Sequence, residues 1–144
     1  MMHTNLGFCL ALHSAHASLQ LKLDDELGIY HGISFNDFAL LNLLAQADGG
    51  RVSIPALVRP MGQPQSAVLR QLIVLEKIGL VVRDGANGFR QAVLRPAGRA
   101  LVSAARETAD SICTEAVASI APAALEMVSA ALVTLAHTPN LAIS

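Results

Sequence analysis

The chain has no tryptophan, one tyrosine and four phenylalanines, so aromatic residues make up only 3% of its 144 positions. Its apolar share is nevertheless 53% and its mean hydropathy +0.48, a large amount of aliphatic surface that must be hidden somewhere. Cysteine is scarce: Cys9 and Cys113 lie far apart, with no CxxC spacing, which points to small buried hydrophobes and away from a disulfide framework. There is no Lys or Arg ahead of the first apolar run, and His13 and His16 interrupt it, so a signal peptide is not expected. The most apolar stretch, around residues 120–136, contains Pro122 and Glu126 and lacks basic flanks, which argues against a membrane span. A cytoplasmic location is the expectation.

Repeats, low-complexity tracts and phosphate-binding glycine loops are also missing. No Ser–His–acid or Cys–His arrangement has supporting context, and the acid pair Asp24-Asp25 falls at an exposed helix end, so catalysis is not expected. His13 and His16 share a helix face, but neither His31 nor His137 is placed to complete a metal site. No cofactor is implied.

What is present is an uneven distribution of charge. The net charge is −1, yet residues 51–99 hold eight of the ten basic side chains and only Glu76 and Asp84 as acids, giving that segment +6 and the remainder −7. A local positive field of this kind describes a partner of opposite sign.

The segment Val81–Leu94, VVRDGANGFRQAVL, interrupts an otherwise helical composition. Asn87-Gly88 is the pair best suited to the two positive φ values of a type I′ turn. That turn pairs Asp84 with Gln91, Arg83 with Ala92 and Val82 with Val93, leaving charged groups near the tip and valines at the base. Asp84 is then placed to tether Arg83 or Arg90.

Around this hairpin the patterns predict a long helix over about residues 5–27, ending near Gly28 and apolar nearly all round (Leu6, Phe8, Leu10, Leu12, Leu19, Leu23). Ser34 with Asp37 signals the start of a second helix, which Gly49-Gly50 stops. A short extended piece at Arg51–Val52 precedes Ser53, a plausible cap for a brief helix ended by Pro60 and Gly62. The next helix, Pro64–Ile78, turns Val68, Leu72 and Leu75 inward. Pro96 opens a helix to about Ala121, and a last helix over about 122–137 has Glu126, Ser129 and Thr134 as its only polar residues. Two short helices joined by a tight turn and followed by a ribbon make a winged helix-turn-helix. The fold class expected is mainly α with a small β hairpin, with helices apolar on every side at both ends.

The stretches LGFCLALHSAHASLQLKLDDELG, ISFNDFALLNLLAQ, QSAVLRQLIVLEKIGLV and AVLRPAGRALV together resemble the MarR family of transcriptional regulators, over about residues 6–121. The resemblance implies a homodimer whose N- and C-terminal helices interlock: residues 1–33 as one dimerisation helix, 34–95 as the winged DNA-binding region and 96–144 as the C-terminal dimerisation helices. It implies double-stranded DNA as partner, a repressor's role at a pseudo-palindromic operator, and contacts from Ser53, Gln65, Ser66, Arg70, Arg83, Asn87 and Arg90. It further implies a small aromatic or amphipathic effector in a crevice, for which His13, His16, Phe35 and Phe38 are the lining candidates. The redox branch of the family uses a first-helix cysteine, but that position falls on Gly7 and not on Cys9, so peroxide sensing is not expected. The sequence departs from the family at Leu69 and Val74, where Ser and Arg are usual, and in a shorter wing. Fewer phosphate contacts follow, and a winged-helix protein-interaction module is the alternative reading.

Overall fold

The computed structural model describes residues 4–85 and 90–141. The order is α1 (Asn5–His31), α2 (Phe35–Gln46), a single 3-10 turn (Asp48–Gly50), β1 (Arg51–Ser53), α3 (Ile54–Met61), α4 (Gln65–Lys77), β2 (Val81–Asp84), β3 (Gln91–Leu94), α5 (Pro96–Ala116), α6 (Pro122–Ala136) and a second 3-10 turn (Pro139–Leu141).

The first helix starts where Thr4 accepts a hydrogen bond from the Gly7 N–H at 2.8 Å. It does not end near Gly28 as expected but runs on to His31, and Gly32 closes it at φ 70°. An interior glycine costs a helix about 1 kcal/mol, and packing outweighs that here: Leu23 and Leu27 are buried, and His31 Nε2 meets Thr108 Oγ1 of α5 at 2.7 Å. Ser34 and Asp37 form the expected reciprocal cap at the start of α2, and Asp24 of α1 adds a third bond by accepting from the Phe35 N–H at 2.7 Å.

The paired strands have the expected register, Val82↔Val93, Arg83↔Ala92 and Asp84↔Gln91. The Asn87-Gly88 turn itself lies outside the described residues. The hairpin is not alone, because β1 pairs with β3 (Arg51↔Val93, Val52↔Ala92, Ser53↔Gln91) to give a three-stranded antiparallel sheet in the order β1-β3-β2. The helix α5 stops at Ala116 and not near Ala121. Pro122 pushes Ala121 to ψ 140°, and the chain tightens ahead of it through bonds from Ala118 N–H to Glu115 and from Ile120 N–H to Val117.

A leucine-rich core joins α1, α2, α3, α4, the sheet and α5, with Leu27, Leu41, Leu57, Leu72, Val81 and Ala105 among its buried members. The inward face of α4 is Val68, Leu72 and Leu75, as the helical period predicts. Two surfaces are left out of this core. The first half of α1 exposes Leu6, Phe8 and Leu10, and α6 has no buried residue at all. No helix among the described residues is long and apolar enough to cross a membrane.

Candidate nucleic-acid interface

The turn between α3 and α4 is made by Gly62 at φ 60°, whose N–H bonds the Arg59 carbonyl at 3.1 Å, while Gln63 N–H bonds that of Val58. A residue with a side chain is strained in that left-handed conformation. The turn swings α4 across α3 so that its first turn points to solvent. Gln65 and Ser66 are exposed there and Arg70 one turn on, and Ser53, at the entry to α3, is exposed with a hydroxyl that makes no cap bond. These four sequence-predicted residues share access to solvent on α4 and at the start of α3.

The wing is held on both faces. On the side facing α4, Glu76 accepts from Arg83 twice, from Nε at 2.8 Å and from the backbone N–H at 3.2 Å. On the outer face Arg51 lies across the sheet, donating to Gln91 of β3 at 3.0 Å and to Asp84 of β2 at 2.8 Å. The expectation that Asp84 would tether Arg83 or Arg90 is thereby corrected. Arg83 and Asp84 are neighbours on one strand, so their side chains leave opposite faces, and each finds a partner on its own side. Arg83 is a half-buried clamp residue, whereas Arg90 is exposed. Asn87 lies outside the described residues.

These contacts set the charge states. The Arg83 side chain, reinforced by its backbone N–H, holds the Glu76 carboxyl below the ordinary carboxylate value. Arg51 does the same for Asp84, with help from the Gly85 N–H. Both acids of the basic segment are thus spent within the fold. Arg59, Arg70, Lys77, Arg90, Arg95 and Arg99 carry no ion pair among the described residues. Sequence reasoning missed Arg51 and Glu76. The charge alternation Glu76…Arg83 was visible, but the reach of Arg51 depends on β1 joining the sheet.

The effector candidates divide. A cavity of about 810 Å³ lies between α1, α3 and the end of α6, and its lining includes Cys9, His13, His16, Val58, Arg59 and Met61. A smaller one of about 180 Å³ beside it takes in His16, Phe35 and Met61. Phe38 lines neither: it is buried and stacks on Phe35, with ring centroids 6.3 Å apart. An aromatic three residues from Phe35 falls on the core side of α2, and the core claims it.

The fold is thus a winged helix-turn-helix flanked by long helices. A family model described as an IclR helix-turn-helix domain matches residues 38–85, the part that winged helices hold in common. Solved structures extend the likeness to nearly the whole chain and carry the MarR name. A MarR family regulator from Rhodococcus sp. RHA1 superposes with a TM-score of 0.85 at 17% identity, covering 95% of this chain and 99% of that one. Sco3205 from Streptomyces coelicolor, a MarR family regulator solved in complex with DNA, gives 0.80 at 19% identity over 94% and 89%. CouR from Rhodococcus jostii RHA1, solved bound to p-coumaroyl-CoA, gives 0.82 at 20% over 94% of each chain. No curated protein matches the sequence. The chain has the MarR-type fold, as the sequence resemblance implied.

Proposed function

We propose that the protein is a homodimeric, sequence-specific DNA-binding transcriptional regulator of the MarR type, acting in the cytoplasm as a ligand-responsive repressor at a pseudo-palindromic operator. The observation that carries this reading is the exposed first two turns of α4, with Gln65, Ser66 and Arg70, beside a clamped wing and six basic side chains that carry no ion pair among the described residues. Gln and Arg present paired groups to base edges, and Ser53 with the helix ends suits phosphate. Arg83, Asn87 and Arg90 complete the contact set from the wing, Arg83 through its hold on the wing's position.

Residues 34–95 form the DNA-binding region in this reading. Residues 1–33 and 96–144 are dimerisation segments, supported by the uncovered apolar faces of α1 and α6. A small aromatic or amphipathic effector fits the cavity where His13, His16 and Arg59 meet aliphatic walls, with Phe35 beside it. The DNA complex of one structural neighbour and the ligand complex of another support both halves of the reading.

The test is selection of duplexes from a random pool by the full chain, followed by binding of Arg70→Ala to the enriched sequence. The expected outcome is a site of two related half-sites and a loss of about 1–3 kcal/mol per half-site for the variant, with flattened sequence preference. A pool that stays random through selection defeats the proposal.

A further inference from the structure

The outward row of α4 runs Ser66, Arg70, Val74 and on to Ile78, the residue that caps the helix end, each one turn beyond the last. Its first two members are polar. The next two are not, and Val74 and Ile78 are each 58% exposed, although the same helix buries Val68, Leu72 and Leu75 completely on its other side. Nothing among the described residues covers Val74. Its neighbours on the helix surface are Gln71, turned toward Asp37, the equally exposed Ile78, and two cations, Arg70 four residues before and Lys77 three residues after, both exposed and without an ion pair among the described residues. An apolar spot flanked by two cations suits a partner that is polyanionic overall but offers a methyl group between its charges. The major groove of a duplex at thymine is that surface, with the C5 methyl standing between two phosphate walls.

We propose that Val74 is a specificity-determining residue, packing its side chain on the C5 methyl of a thymine. This rests on α4 being the DNA-facing helix, as argued above. Four residues advance the helix about 6 Å, and base pairs rise about 3.4 Å, so the thymine lies one or two base pairs from the base that Arg70 contacts. Discrimination works in both directions. Thymine gains the apolar contact, while cytosine or guanine would bring a polar edge against Val74 and lose hydration with no hydrogen bond in return.

The experiment starts from the duplex that the full chain selects, with thymines replaced one at a time by deoxyuridine, which removes only the methyl. Affinity is measured by fluorescence anisotropy for the wild type, Val74→Ala and Val74→Thr, with thermal unfolding of each. At one thymine per half-site, uracil should weaken the wild type by about fourfold, the worth of one buried methyl. Val74→Ala should bind the thymine duplex about that much more weakly and be indifferent to the exchange, whereas Val74→Thr, which keeps one methyl, should retain part of the preference. All three should melt alike, since Val74 is exposed. Uracil tolerated at every position, or equal uracil penalties in wild type and Val74→Ala, overturns the proposal while leaving DNA binding intact. Unchanged DNA affinity in Val74→Ala also overturns it. Failure to enrich any duplex overturns the underlying reading of α4.

Discussion

Gly98 is where one absent methyl lets α5 lie against the sheet. A Cβ there would sit 2.2 Å from the Leu80 carbonyl oxygen and 2.7 Å from Leu94 Cδ1. The carbonyl has little room to retreat, since it also accepts from the Arg95 N–H at 3.0 Å. Gly98→Ala would gain about 1 kcal/mol in helix propensity, but overpacking costs about 1–3 kcal/mol, more against backbone. The expected net result is a lowered melting temperature by calorimetry; a raised one would show that α5 can slide. Glu76 offers a second residue-scale test. Its pKa is depressed in the fold, first by the Arg83 side chain and then by the Arg83 backbone N–H. A depressed carboxyl contributes stability that is complete above its ordinary value of 4.5 and is lost as the pH falls through the lower folded value. Glu76→Gln should therefore melt below the wild type at pH 7, by the equivalent of about 1 kcal/mol or less for a half-exposed pair. The gap should shrink as melting curves are taken below that ordinary value. A gap that does not change with pH would mean that the Arg83 contact is not charge-dependent.

At the scale of elements, the wing is fixed at its base and carries Arg90 free of ion pairs among the described residues. Arg90→Ala should weaken binding about equally to all duplexes and reduce the slope of log affinity against log salt by roughly one per subunit. Melting should barely move because the side chain is solvated. An unchanged slope with a lowered melting temperature would make the hairpin a scaffold. The pairing of β2 with β3 was legible because turn chemistry and alternation fix a register locally, and the inward face of α4 was legible because its period is local too. The partnership of β1 was not, since three residues carry little pattern and their partner is distant in sequence. The same limit hid Arg51 and Glu76, whose roles exist only once those elements meet. Exposure of Gln65, Ser66 and Arg70 followed from the helical period alone. The division between Phe35 and Phe38 depended on how α2 is rotated against α1, for which the sequence has no local marker. Gly28 misled because a glycine signals a helix end only where tertiary contacts do not carry the helix past it.

For the whole molecule, the uncovered faces offer a test of the proposed assembly. None of the residues of α6 is buried, and Met127 and Val133 are 75% and 60% exposed. Apolar surface left open in this way marks an association site. If the proposed dimer forms, light scattering should give the wild type twice the chain's 15.1 kDa, and Met127→Asp should lower both that mass and the melting temperature. A wild type that is monomeric at micromolar concentration would refute the dimer. The ladder Arg51↔Val93, Val52↔Ala92, Ser53↔Gln91 also has a kinetic meaning. It joins the two ends of the stretch that contains α3, α4 and β2, so closing it costs loop entropy before its hydrogen bonds give any return. The leucine contacts among α2, α3 and α4 are shorter in sequence and should form first, leaving the sheet to close around helices already docked. In stopped-flow refolding at fixed concentration, Leu72→Ala should then slow folding, whereas Val52→Ala should mainly speed unfolding. The opposite pattern would place the sheet in the folding nucleus and make the wing the first part of the molecule to take shape.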